Sequence, residues 1–296
     1  MKCYASIPED TDRFVVELAA AGRGMCERPR SVKVALMGAS CAGRSTLVNA
    51  FFGAITGSYA PIRPVGSGFD EGKRSKAMTA VPLLQLALSE WPSEAKGFEY
   101  VMQDFVAHRS PIEMMATLLG YVQSGEAFPD PTDIVGLKKL LSRRVGPHDA
   151  ACCGMLLVPA SVLISSANPP QDVADAVSAS NAFTANLDDA GKFPLPLVLV
   201  VTRVDEVNGV TDPEALLRPE PMRPLYARAE EWGFSAEMTV PIGFLGGGHV
   251  DYADPRHPCV KVLKRLMLLT ARSGRLFLDE VEDEVARSRG AVTLAK

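Results

Sequence analysis

The stretch SVKVALMGASCAGRSTLVNAFFG, residues 31–53, constrains the fold more than any other part of the chain. An apolar run stops at Gly38, a short glycine-bounded loop follows, and RSTLVNAFFG begins a helix at once. A strand that stops at a glycine loop and feeds straight into a helix is one unit of the strand–helix alternation from which doubly wound sheets are built. LPLVLVVTRVD (195–205) supports this, being a continuous β-branched run of the kind a parallel sheet buries on both faces.

Other segments fit the same alternation. EDTDRFVVELAAAGRGM (9–25) reads as an amphipathic helix with Phe14, Val15 and Leu18 on one side. AVPLLQLALSE (80–90) and ASVLISSANPP (160–170) read as strands, and residues 99–141 as mostly helical. DVADAVSASNAFTANL (172–187) reads as a helix, and EMTVPIGFLGGG (237–248) as a last strand entering a glycine loop. The C-terminal stretch 257–288 reads as one helix followed by a second. Residues 54–78 are rich in Gly, Ser and Pro and read as a long mobile loop with a basic patch at Lys73, Arg74 and Lys76. The expected fold class is α/β with a doubly wound, mostly parallel sheet.

The glycine loop, G-x-x-x-x-G-R-S-T, differs by one residue from the phosphate-binding pattern G-x-x-x-x-G-K-[ST]. Gly38, Ala39, Ser40, Cys41, Ala42, Gly43, Arg44, Ser45 and Thr46 are therefore candidate phosphate-binding residues. Backbone N–H groups of such a loop and the helix N-terminus both point at an anion. Arg44 keeps the positive charge of the usual lysine, but its guanidinium is longer and planar. The alternative is a glycine-rich turn of a dinucleotide-binding or ligand-free fold. Cys41 reads as a small residue that fits the turn or as a redox handle.

Composition narrows the classes. Lys and Arg number 31 against 35 Asp and Glu, a net charge of −4, so no global basic field points to nucleic acid. Six cysteines form no C-x-x-C pattern and no zinc-like pairing with the four histidines. The longest apolar runs fall well short of the ~20 residues of a membrane span. The expected setting is intracellular and cytoplasmic, with reduced thiols.

VLVVTRVDEV (198–207) adds a second motif. Thr202-Arg203-Val204-Asp205 resembles the [NT]-K-x-D base-recognition motif of the P-loop GTPases, although a strand-end aspartate can also simply cap the next helix. LVNAFFG and, further on, TAVP resemble the dynamin-like large GTPases in particular. The resemblance implies a G-domain-like fold over 30–272 with a helical insertion at about 105–150, an N-terminal helix in 1–29 and a C-terminal helix in 273–296. It implies GTP or GDP as ligand and Mg²⁺ held by Ser45 and Thr79. It further implies Thr202, Arg203 and Asp205 on the base, and Thr79 with the second-switch aspartate in catalysis. The best placed D-x-x-G match is Asp133 to Gly136, so Asp133 is the expected aspartate. Another match, at 188–191, lies too near Thr202. A homodimer or an effector protein on the switch face is the implied partner. A pseudo-GTPase scaffold without turnover, or another P-loop enzyme such as a small-molecule kinase, are the alternative functions.

Overall fold

The computed structural model describes residues 9–23, 31–39, 41–63, 78–104, 111–130, 132–145, 149–182, 194–207, 210–245 and 250–294. The strands are β1 (Ser31–Gly38), β2 (Thr79–Pro82), β3 (Glu99–Asp104), β4 (Cys153–Pro159), β5 (Leu197–Thr202) and β6 (Thr239–Pro241). They form one sheet in the order β2-β3-β1-β4-β5-β6. Every pairing is parallel except that of β2 with β3. The expected doubly wound, mostly parallel α/β sheet is thus present. Its order reverses on either side of β1, which places a crevice at the carboxyl ends of the strands.

The helices are α1 (Thr11–Arg23), α2 (Arg44–Thr56), α3 (Leu83–Ala87), α4 (Pro111–Leu118), α5 (Ile134–Leu141), α6 (Ala160–Ser165), α7 (Gln171–Asn181), α8 (Pro219–Glu231) and α9 (Pro258–Leu294). Strands β4 and β5 bury nearly all their side chains and β1 buries five of eight residues, as parallel strands covered on both faces do. Helix α9 lies along β1 and β4 and packs against α1, whose Gly22 approaches Val32 of β1. Phe14, Val15 and Leu18 fill that contact, and Lys264 lays its stem beneath α1 with Nζ 5.0 Å from the Phe14 ring centre. The Leu-rich face around Val260, Leu263 and Leu266 is core, as its spacing implies. No helix among the described residues is long and apolar enough to cross a membrane.

Four local expectations are corrected. Residues 99–104, read as helical, form β3 between β1 and β2, because EYVMQD finds backbone partners on both sides. Residues 80–90 are strand only as far as Pro82, and then become α3. The reason is non-local: the Glu99 carboxylate accepts the N–H groups of Leu84 (2.9 Å) and Gln85 (3.1 Å), capping the new helix from a neighbouring strand. Burial pushes the Glu99 carboxyl up, and these bonds oppose the shift.

The strand expected at 160–170 lies one element earlier, at CGMLLVP, and Pro159 turns the chain into α6. Finally, the two C-terminal helices are one, so the boundary at 272/273 falls inside α9. Gly274, which resembles a stop signal, instead permits close approach: a Cβ there would stand 2.7 Å from Cys152 Sγ on the edge of β4.

Tyr100 on β3 and Thr270 on α9 join sheet and helix through a buried hydroxyl pair at 2.6 Å. Thr270 donates to the helix carbonyls of Leu266 and Met267, so the phenol is the donor of the pair. Burial raises the Tyr100 pKa well above its ordinary value. Tyr100→Phe should lower stability by about 1 kcal/mol, since Thr270 keeps its helix bonds. Urea unfolding followed by circular dichroism measures this, and an unchanged midpoint would show that the pair contributes nothing.

Candidate functional site

The site begins at the carboxyl end of β1. Gly38 has φ 131° and Gly43 φ 94°, conformations that side chains resist. At Gly38 a Cβ would also press into the Leu157 carbonyl of β4, whereas at Gly43 it would meet nothing within 4 Å. Gly43 is the N-cap of α2 and has no side chain to cap it, and the first turn holds no acid. The first-turn N–H groups therefore face outward with the positive end of the helix dipole behind them. Cys41 is exposed at φ 66°. Ser40 lies outside the described residues.

Arg44 folds back over the loop. Its Nη1 donates to the carbonyls of Gly38 and, at 3.3 Å, Ala39, and its Nε lies 3.5 Å from Asp104 Oδ1. Burial pushes the guanidinium pKa down, and Asp104 opposes that shift.

A second aspartate, Asp104, stands beside the loop, and no sequence motif singled it out. It is the last residue of β3, and its side chain is 7% exposed. The Ser45 hydroxyl stands 3.4 Å from its Oδ2, and Arg63 Nη2 stands 3.2 Å from the same oxygen. Arg63 is itself held by the buried Asn49 of α2. The amide accepts from Arg63 N (2.8 Å) and donates to Arg63 O (2.9 Å), so the main chain is gripped independently of the side chain. Thr79 faces Asp104 across the β2–β3 ladder, which puts both on one face of the sheet.

Asp133, the expected second-switch aspartate, stands elsewhere. It is the exposed N-cap of α5, and its carboxylate accepts from its own Gly136 N–H at 2.9 Å. Its D-x-x-G spacing is a capping turn, with Asp supplying the oxygen for an N3 donor. The aspartate that ends a strand is Asp104. Once β3 is known, the sequence signal is visible as Asp104-Phe105-Val106-Ala107, with alanine where D-x-x-G has glycine. Residues 105–107 lie outside the described set, as do Lys73, Arg74 and Lys76. No local pattern marked Arg63 or Asn49.

The second motif reaches the first. Arg203, at φ 55°, donates from Nη2 to the Cys41 carbonyl at 3.0 Å and ion-pairs with Glu206 at 3.6 Å. Thr202 is buried at the end of β5, and its hydroxyl has no hydrogen-bond partner among the described residues. Asp205 does not cap a helix; it sits within a 3₁₀ turn and reaches across to the turn after β6. Its Oδ1 accepts from Phe244 N at 2.9 Å, and a Cβ on Gly243 would stand 2.5 Å from that oxygen. The turn after β6 is pinned by Cys259 at the start of α9, whose thiol donates to the Gly243 carbonyl at 3.6 Å. Burial raises that thiol to about 12, with Asp205 adding to the effect. The arrangement joins an anion-receptive loop to an exposed carboxylate on a rigid turn.

The magnesium ion that the sequence resemblance implies does not fit this donor set. The Ser45 and Thr79 hydroxyls belong to one corner, but each oxygen of Asp104 already faces a guanidinium. Magnesium needs hard oxygen ligands, and two guanidinium cations beside its carboxylate oppose it. Among the described residues, no cluster of three or more His, Cys, Asp or Glu side chains could hold a metal.

Gly43→Ala should cost about 1–2 kcal/mol, the strain of a left-handed alanine in open space. Gly38→Ala should cost more, because β1 cannot withdraw from β4. Parallel urea titrations test this, and equal costs would mean that the Leu157 contact is immaterial.

No protein-family model matches the chain, and no curated protein matches it in sequence. Among solved structures, it is similar to a bacterial selenocysteine-specific elongation factor, EF-Sec, at 14% identity and TM-score 0.36, covering 72% of this chain and 25% of that one. It is also similar to a single-residue variant of Era from Aquifex aeolicus bound to GDP and AlF4⁻, at 16% identity and TM-score 0.35, covering 74% of this chain and 52% of that one. The chain thus spans about a quarter of the first and about half of the second.

Proposed function

We propose that the protein binds guanine nucleotide at the 38–46 loop, as a P-loop protein of dynamin-like type with slow hydrolysis. One observation carries the reading: Arg203 donates to the Cys41 carbonyl at 3.0 Å, so two motifs 162 residues apart meet as one site. A glycine turn of a ligand-free fold would not need that contact.

In this reading the loop N–H groups and the first turn of α2 take the phosphates, with Arg44 forking onto their oxygens. The Ser45 and Thr79 hydroxyls donate to the phosphate chain at the end where β2 meets β3. The Arg203 stem and guanidinium cover one face of the purine. Asp205 accepts from the ring N–H and exocyclic amine of guanine, while Phe244 N keeps its carboxylate in place. Thr202 supports the strand end behind it. A small-molecule kinase would have no use for Asp205 on its turn.

Hydrolysis needs a positioned water as well as charge at the breaking bond. Asp104, not Asp133, ends the strand beside the loop, but its carboxylate is committed to Arg44 and Arg63. Ala107 replaces the glycine whose backbone freedom a D-x-x-G switch uses. Turnover is therefore slow, and the nucleotide acts mainly to set a conformation that a partner or second copy reads.

Two measurements test the reading. Purified protein should prefer GDP and GTP to adenine nucleotides, and Asp205→Asn should shift that preference towards xanthine nucleotides. Equal weak affinity for GTP and ATP in both proteins would defeat base recognition. Single-turnover hydrolysis with excess protein should run at roughly 10⁻³ per second or below. Several turnovers per minute, abolished by Thr79→Ala, would show a competent enzyme instead.

A further inference from the structure

The geometry points to Arg63 as a built-in replacement for the divalent cation: the site takes a nucleoside diphosphate without metal, using two guanidinium groups. The inference rests on nucleotide binding at the 38–46 loop and adds what neutralises the phosphates there.

The observations concern one carboxylate and its surroundings. Asp104 is nearly buried and has Arg44 on Oδ1 and Arg63 on Oδ2, at 3.5 and 3.2 Å. Asp104 stands between two cations, which leaves excess positive charge beside the Ser45 hydroxyl where the loop opens; Asp172 offsets it only weakly, as the smallest influence on the Arg44 guanidinium. That excess repels a divalent cation and attracts a polyphosphate. A guanidinium can also do what a metal ion does for binding, by bridging two phosphate oxygens with parallel N–H donors.

Arg63 is equipped for the exchange. Its side chain is 18% exposed, and its buried Nε has no hydrogen-bond partner among the described residues. Its main chain stays fixed because both hydrogen bonds to Asn49 are made by backbone atoms. Swinging the guanidinium from Asp104 towards a phosphate therefore requires side-chain torsions only. Asp104 holds the two arginines in readiness when nucleotide is absent. This also keeps two nearly buried positive charges from standing unpaired.

A fluorescent GDP analogue titrated into the full chain, in excess EDTA and in millimolar Mg²⁺, tests the inference. The expected dissociation constants agree within about twofold. Arg63→Gln should weaken binding in EDTA at least tenfold, and Arg63→Lys, which keeps charge but loses the fork, should fall between. The Asn49 bonds to the Arg63 main chain do not depend on its side chain, and circular dichroism checks that the variants fold. Asp104→Asn, which releases both guanidinium groups, should bind more tightly in EDTA than the parent chain. Binding that collapses in EDTA and returns with Mg²⁺ would overturn the inference while leaving the nucleotide reading standing. So would unchanged affinity of Arg63→Gln in EDTA. Absence of binding under both conditions would overturn the nucleotide reading and this inference together.

Discussion

The Asp104 carboxylate, nearly buried between Arg44 and Arg63, is the contact on which the arrangement of the site depends. It ties together the side chains of three pieces of chain that backbone pairing and the Asn49 bonds already bring close: the glycine loop, the tip of β3 and the segment after α2. Asp104 answers two guanidinium groups at once, so its removal leaves both without that partner, whereas either arginine can leave and Asp104 stays paired with the other. Asn49 adds rigidity by fixing the Arg63 backbone from inside α2.

A second joint lies on the other side of the loop. Arg203 bonds the Cys41 carbonyl, Asp205 bonds Phe244 N, and Cys259 bonds the Gly243 carbonyl. These contacts link β1, β5, β6 and α9 in sequence around the crevice. The parallel sheet makes this possible, because all five parallel-paired strands deliver their carboxyl ends to one edge. The long α9 then backs the sheet, and the Gly274 approach and the Tyr100–Thr270 pair fix its height.

The chemistry of the two joints differs in kind. Around Asp104 both carboxylate oxygens are taken by guanidinium groups, which on the proposed reading favours holding a ligand over reacting with it. Around Asp205 a carboxylate is exposed on a rigid turn, which favours reading a ligand's hydrogen-bond edge. On the proposed reading, a site with good recognition and poor water activation is a sensor of its ligand more than a processor of it.

The sequence by itself determined the βα unit at 31–56, the buried strand at 197–202 and the two motifs, because each is a local pattern with a local cause. Glycine spacing sets the loop, and β-branched runs set parallel strands. Tertiary structure decided what depends on distant partners. EYVMQD became a strand because β1 and β2 flank it, and LLQLA became a helix because Glu99 caps it from β3. Gly274 continues α9 because Cys152 needs the space, where local rules place a helix end. The same holds for function. Asp133 satisfied a spacing rule that helix caps share, while Asp104 could be recognised only once β3 existed to end at it. Arg63 carried no motif at all: an arginine's role is set by which carboxylate its long side chain reaches, and that is a property of three dimensions.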